Sequence, residues 1–386
     1  MGKLFQNYKR ADVEFIKAEG NYLWDQKGKS YLDFASGIGV TNLGFHPYVK
    51  SALKKQAEEI WHSPNLYRNS LQEEVADKLI GGYDYLAYFC NSGAEANEAA
   101  IKLARKSSGK QEIISFKNSF HGRTFGSLSA SGQETIKKGF GDGVPHFSYA
   151  VLNDLDSVKR LVTEDTAAVM LELVQGESGI HVADRTFVSD LAAFCQQQEI
   201  LLIVDEVQTG MGRTGRLFSF EYYGIEPDIF TLAKGLGNGF PVGAMLGKSD
   251  LGSAFSYGSH GSTFGGNKLA MAVSSAVLDV LQGDNFLQTV RLNADILQQK
   301  LKAALADLPL VTDIRGLGYM IGIETKADLA DLVAGARARG LIVLTAGSNV
   351  LRLLPPLTLT EEEGEQAVAV LQAVFQEEYL KQAGQF

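Results

Sequence analysis

"YLAYFCNSGAEANEAAIKLARK" spans residues 85–106 and carries the reading that decides the fold. Tyr85 to Cys90 form an unbroken apolar and aromatic run, the pattern of a strand covered on both faces. Asn91, Ser92 and Gly93 interrupt it with small polar residues. From Glu95 onward, apolar residues recur at helical spacing among charged ones, so the spacing predicts a helix over 95–106. A buried strand that turns at once into a helix is the repeating unit of a parallel α/β sheet.

Working outward, the same texture recurs in "EIISF" (112–116), "AAVMLELV" (167–174), "LLIVDEV" (201–207) and "DIFTLA" (228–233), with a further helical stretch over 183–200. The predicted architecture is a mostly parallel, doubly wound sheet. "SLQEEVADKLIGG" (70–82) carries a capping box, Ser70 with Glu73, and Gly81 as a stop signal. After residue 266 the pattern shifts to two long helices, a hairpin in "VTDIRGLGYMIGIE" (311–324), and a terminal helix opened by Thr360 and Glu363. The expected division is a large domain over 51–266, a smaller α+β domain over 267–386, and an N-terminal segment, 1–50, packing with the latter.

The chain has 386 residues, 45% hydrophobic and 21% charged, with a formal net charge of −9. Its basic residues are scattered, which argues against nucleic acid or an anionic membrane as partner. The two cysteines, Cys90 and Cys195, lie in apolar surroundings and read as buried free thiols in a reducing compartment. With no apolar leader and no long uncharged span, the expectation is a soluble cytoplasmic protein.

In a parallel sheet, ligands sit beyond the carboxyl ends of the strands. Asp205 closes "LLIVD" there, either capping the next turn or facing a cation. Ser92 and Gly93 stand at a helix start, where free N–H groups suit a phosphate as well as an ordinary cap. "NSFHGRTFGS" (118–127) brings Phe120, His121 and Arg123 together: a stacking ring, a histidine of structural character, and a carboxylate-binding guanidinium. No cluster of residues has metal-ligand spacing. Lys234, in "TLAKGLGNGFPVGAML" (231–246), either snorkels to solvent or is a desolvated amine kept for chemistry. A lysine, an aspartate, a phosphate cradle, an aromatic ring and an arginine together suit pyridoxal phosphate.

These blocks, with "YLDFASGIGVTNLG" (31–44), "ELVQGESG" (172–179), "DEVQTGMGRTG" (205–215), "HGSTFGGN" (260–267) and "LRLLPPL" (351–357), resemble the class III pyridoxal-phosphate-dependent aminotransferases of fold type I, on the acetylornithine branch. The resemblance covers almost the whole chain. It implies that Lys234 forms the imine with the cofactor and carries the proton between substrate and cofactor carbons. It implies that Asp205 pairs with the pyridine nitrogen and Gln208 nears the ring hydroxyl. Glu206 and Val207 join the cofactor contacts, Phe120 stacks on the ring, and Ser92, Gly93 and Ala94 bind the phosphate. Thr263, with Ser262 beside it, would reach the neighbouring subunit's phosphate and substrate in a homodimer. Arg123 would receive a substrate carboxylate, and Arg352 a second one, masked by Glu177 when the substrate has only one.

The implied reaction is a ping-pong amine transfer between acetylornithine and 2-oxoglutarate, serving arginine synthesis. Ornithine, gamma-aminobutyrate and succinyl-diaminopimelate are the rival substrates. Ile38 favours an acylated amine, since the ornithine enzymes place a tyrosine there. Two departures stand out: Ala94 where many members have threonine, and "LGFHP" (43–47), one residue shorter at the expected site entrance.

Overall fold

The computed structural model describes residues 3–384. Its central sheet has seven strands in the order Tyr85–Cys90, Gly243–Lys248, Ile229–Leu232, Leu201–Asp205, Thr166–Leu171, Glu112–Phe116 and Phe147–Ala150. Gly243–Lys248 runs antiparallel to both its neighbours. The other six share one direction. The sequence reading had not marked two of these strands. Gly243–Lys248 ("GAMLGK") lacks the β-branched residues that announce a strand, and Phe147–Ala150 is a short, half-buried edge.

Successive residues of the inner strands feed two different cores. Ile203, Met170, Ile113 and Ile229 pack with Ala99, Ala100 and Leu103 of helix Gly93–Ser108. Leu202, Val204, Val169, Leu171 and Ile114 face the opposite layer, with Val188 and Leu191 of helix Arg185–Gln197. Both faces are covered, which is why the strands read as continuous apolar runs rather than alternating ones.

Besides a two-stranded pairing of Val174–Gln175 with His181–Val182, the described residues form two four-stranded sheets. The hairpin Val311–Leu317 and Met320–Thr325 continues into Val350–Leu353 and Leu344–Ala346. The N-terminal strands Phe15–Glu19, Tyr22–Asp25 and Ser30–Asp33 are joined by Leu341–Ile342, parallel to Ser30–Asp33. Helix Glu361–Gln382 opens on the expected capping box of Thr360 and Glu363. Helix Ser70–Ile80 does not: Asn69 is its N-cap, Ser70 lies inside the first turn, and no side-chain cap bond forms. Gly81 does end that helix, at φ 57°.

Ser36, Gly37, Ile38 and Gly39 form a run with positive φ, at 45°, 59°, 71° and 71°. L-residues visit this region singly, and a β-branched residue is strained there. Ser36 holds the turn by donating its hydroxyl to the Leu354 carbonyl at 2.7 Å. The wholly buried Arg213 reinforces it, donating to Asn42 Oδ1 at 2.6 Å and to the Pro355 carbonyl. The turn thereby binds the N-terminal segment to the C-terminal part of the chain and delivers Val40 to the cavity described next.

Candidate active site

The parallel strands end on a common edge because their register is shared: Asp205 lies opposite Thr231, and Val204 opposite Leu171. Beyond that edge is a cavity of about 470 Å³. It collects Ser92, Gly93 and Ala94 from one strand end, Phe120 and Arg123 from another, and Glu172, Asp205 and Lys234 from three more.

Asp205 is 4% exposed and fully engaged. Its Oδ2 accepts Asn97 Nδ2 at 2.8 Å and faces His121 Nδ1 at 2.8 Å, while Oδ1 accepts the Val207 N–H at 2.9 Å. Thr231 donates to Asn97 Oδ1 at 2.7 Å, which orients the amide toward Asp205. Burial alone would lower the His121 pKa, but the Asp205 hydrogen bond and charge outweigh it and raise it. The pair is therefore charge-compensated inside the protein.

Lys234 follows strand Ile229–Leu232 at φ 43° and opens a short 3₁₀ turn. Among the described residues its Nζ forms no hydrogen bond and no ion pair. Desolvation lowers its pKa, and Arg352 adds to the effect; Glu177, Asp205 and Glu172 act against it. A free, readily deprotonated amine at a cavity wall is a nucleophile and a base, not a snorkelling surface lysine.

Ser92 caps helix Gly93–Ser108 by accepting the Glu95 N–H at 3.2 Å. The N–H groups of Gly93 and Ala94 have no partner among the described residues and stand at the helix's positive end. A Cβ on Gly93 would lie 2.7 Å from Val207 Cγ1, so only glycine lets these elements meet. Unpaired donors here, with a free amine and an anchored carboxylate in the same cavity, fit a phosphorylated aldehyde with a ring nitrogen.

At the other side, Arg352 Nη1 pairs with Glu177 Oε1 at 2.6 Å and donates to the Gly176 carbonyl at 3.1 Å. Burial would raise the Glu177 pKa, yet the guanidinium holds it below the usual carboxylate range. Gln208 Nε2 reaches the same Oε1 at 3.3 Å. Glu177 lines the cavity and Arg352 stands behind it. Arg123 is exposed at the mouth, its guanidinium 5.6 Å from the Phe120 ring centroid.

Two residues expected at this chain's own cavity, Glu206 and Ile38, need correction. Glu206 faces away from it, because side chains alternate along the strand end. Its carboxylate accepts Thr209 Oγ1 at 2.5 Å, Ser219 Oγ at 2.7 Å and the Phe220 N–H at 2.9 Å. Ile38 is 43% exposed, the left-handed turn leaving it off the cavity wall, and Val40 lines it instead. Ser262 and the exposed Thr263, expected to serve a neighbouring subunit, lie outside this chain's own lining; Ser262 Oγ accepts Asn91 Nδ2 at 3.1 Å, and Asn91 does line it. The short "LGFHP" turn is likewise absent from the wall; Phe45 instead pairs its N–H with the Gly20 carbonyl.

The sequence reading missed Asn97 and Glu172 and undervalued His121. Asn97 had a signal, for it falls one helical turn after Gly93, on the same face. Glu172 stands just past a strand end, as Asp205 stands at one, but only the sheet order shows the two to be neighbours.

The class-III aminotransferase model matches residues 6–375. The chain belongs to the class-III aminotransferase family. It is a pyridoxal-phosphate-dependent aminotransferase of fold type I. It is 71% identical to an acetylornithine aminotransferase of Streptococcus mutans over 98% of this chain and all of that one. Its fold superposes on an ornithine aminotransferase of Toxoplasma gondii with a TM-score of 0.94 and 30% identity, covering 98% of this chain and 93% of that one. An N-acetylornithine aminotransferase of Stenotrophomonas maltophilia matches with a TM-score of 0.83 and 33% identity, covering 96% and 97%.

Proposed function

We propose that this chain transfers the terminal amine of N2-acetyl-L-ornithine to 2-oxoglutarate, giving N-acetyl-L-glutamate 5-semialdehyde and L-glutamate in arginine biosynthesis. The observation that carries the substrate is the 71% identity, end to end, with a relative of that name. Backbone likeness does not separate acetylornithine from ornithine enzymes, since both superpose well. The lining supports the acylated substrate: Val40, Phe240, Pro241 and Val242 give an apolar wall that suits an amide better than a free ammonium.

Pyridoxal phosphate supplies an electron sink for the carbon from which a proton leaves. The chain's residues do the rest. Gly93 and Ala94 offer N–H groups to the phosphate, with the Ser92 hydroxyl beside them. Phe120 and Val207, which line the cavity, would pack against the ring. Asp205, held by His121 and Asn97, would face the ring nitrogen with its carboxylate and favour its protonated form. Lys234 would hold the cofactor covalently, and its amine, when free, would serve as the base that moves the proton at the substrate carbon. Arg123 binds the carboxylate common to both substrates. Glutamate and 2-oxoglutarate bring a second carboxylate, which replaces Glu177 on Arg352; acetylornithine leaves that pair closed. Exchange of partners keeps the buried guanidinium compensated in both half-reactions.

We further propose a cytoplasmic homodimer whose two units per chain divide near residue 266. Trp61, Leu66, Tyr67 and Phe264 are 65%, 90%, 72% and 62% exposed. Asn65 ties the two segments that carry them, donating to the carbonyls of Ser262 and Gly265. An apolar patch of this kind asks for a partner, and it adjoins Thr263, which would serve the second copy's site. No helix among the described residues is long and apolar enough to cross a membrane.

Side-by-side turnover of acetylornithine, ornithine, succinyl-diaminopimelate and gamma-aminobutyrate tests the substrate; preference for any but the first overturns it. Borohydride reduction followed by peptide mass mapping tests the attachment: the coenzyme mass belongs on the Lys234 peptide. Light scattering of the purified protein tests the dimer.

A further inference from the structure

We infer that Glu172 is a positioning residue for the transfer reaction, anchoring Phe120 by its backbone N–H and adding its charge to that of Asp205 beside His121, which in turn holds Asp205. Glu172 follows strand Thr166–Leu171, which lies between the strand that ends in Asp205 and the one that leads to Phe120 and His121. It is 7% exposed and lines the cavity. Its Oε2 accepts the Phe120 N–H at 2.8 Å, and no other hydrogen bond to this carboxyl forms among the described residues.

The anchored stretch is short and tightly held. The next N–H, of His121, goes to Ser131 Oγ at 2.8 Å, and the His121 carbonyl accepts Asn97 Nδ2 at 2.7 Å. With the backbone pinned on both sides, the Phe120 ring and the His121 imidazole have fixed origins. Loss of the Glu172 bond would release the end that carries the ring.

The charges are set by a few groups. Glu172 is faced by His121, Asp205, Glu177 and Lys234, and His121 by Asp205 and Glu172. Burial pushes the Glu172 carboxyl up to about 7; Asp205 and Glu177 push the same way, and His121 opposes them. When ionised, Glu172 favours imidazolium at His121 and ammonium at Lys234; when protonated it still accepts from Phe120. The effect on a bound cofactor rests on the function proposed above, whereas the coupling to His121 does not.

Two variants separate the anchor from the charge. Glu172→Gln keeps an acceptor for Phe120 and removes the charge; Glu172→Ala removes both. Histidine-labelled, cofactor-free protein is titrated by NMR, with His121→Gln assigning the resonance among the six histidines. In Glu172→Gln the His121 midpoint should fall by about one pH unit. Pyridoxal phosphate affinity, measured by equilibrium dialysis, should drop about tenfold in Glu172→Ala and less than threefold in Glu172→Gln, as expected for one anchoring hydrogen bond to a carboxylate. An unmoved His121 midpoint in Glu172→Gln overturns the inference, as does equal affinity in the two variants. A shifted midpoint in a protein that takes up no pyridoxal phosphate upholds the coupling to His121 and sinks the cofactor reading instead.

Discussion

Asp205 and Glu206 are consecutive carboxylates at one strand end, both almost wholly buried and both given three hydrogen-bond contacts. One faces the cavity and the other faces the core. Asp205 is set among Asn97 and the titratable His121, with Lys234 across the same cavity. Glu206 is held by two hydroxyls and a backbone N–H that only hold a loop in place. Burial and satisfied hydrogen bonds are common to both, so neither marks a site. What differs is the company: a neighbour that can change charge, and open space in front of it.

The difference is sharpest at Lys234, on the open side. Lys234→Ala should lose turnover by about 10⁴-fold or more, since among the described residues no second amine lines that wall. Its thermal midpoint should hold or rise, because a desolvated amine with no hydrogen-bond partner has been removed. Normal turnover in a borohydride-treated sample with no coenzyme on the Lys234 peptide would end the assignment. Next comes the pair itself. Asp205→Asn should cut kcat about 10² to 10³-fold, the range for removing one fixed electrostatic group, with little change in unfolding. Glu206→Ala should do the reverse, costing about 2 kcal/mol of stability by orphaning the Phe220 N–H and two hydroxyls, with kcat per folded molecule unchanged. Were both variants to behave alike, the division between cavity and core faces would fail.

A smaller effect belongs to the arginines. Arg123→Ala should lower kcat/KM about 10- to 100-fold with acetylornithine and with 2-oxoglutarate, as loss of a charged hydrogen bond does. Loss with one substrate alone would mean that the carboxylates are misassigned. Glu177→Gln is more selective. It unmasks Arg352, so acetylornithine should suffer while the glutamate half-reaction persists. The same change removes an anion that raises the Lys234 pKa. The sign follows: the amine's midpoint in cofactor-free protein, read from the pH dependence of acylation, should move further down.

Much of this was legible before any coordinates. The apolar runs around Cys90, Ile203 and Ile229 announced a sheet covered on both faces, and the turn after Cys90 announced the helix start that carries Gly93. Lys234, Asp205, Phe120 and Gln208 lie together as the motifs implied. The misreadings share one cause: sequence gives a residue's place along an element but not its direction. Glu206 was read with its neighbour, although the next residue of a strand points the other way. Ile38 was placed at the substrate, although four left-handed residues turn it outward. Glu172 was passed over because its role depends on sheet order, which no local pattern carries.

The two capping boxes put the same point in its smallest measurable form. Ser70 with Glu73 and Thr360 with Glu363 are one motif in the sequence, yet Thr360 accepts the Glu363 N–H at 3.2 Å and Glu363 accepts the Thr360 N–H at 2.9 Å, while Ser70 caps nothing. Asn69, one residue earlier, has its amide drawn away to the Gly266 carbonyl at 3.0 Å, which starts that helix from a tertiary contact instead of a local one. Thr360→Ala should therefore cost about 1 kcal/mol, and Ser70→Ala should fall within the roughly 0.5 kcal/mol typical of a neutral surface change. Urea unfolding of the two variants reads both. Equal losses would mean that the motif acts through its residues alone, without regard to which partner the fold places within reach.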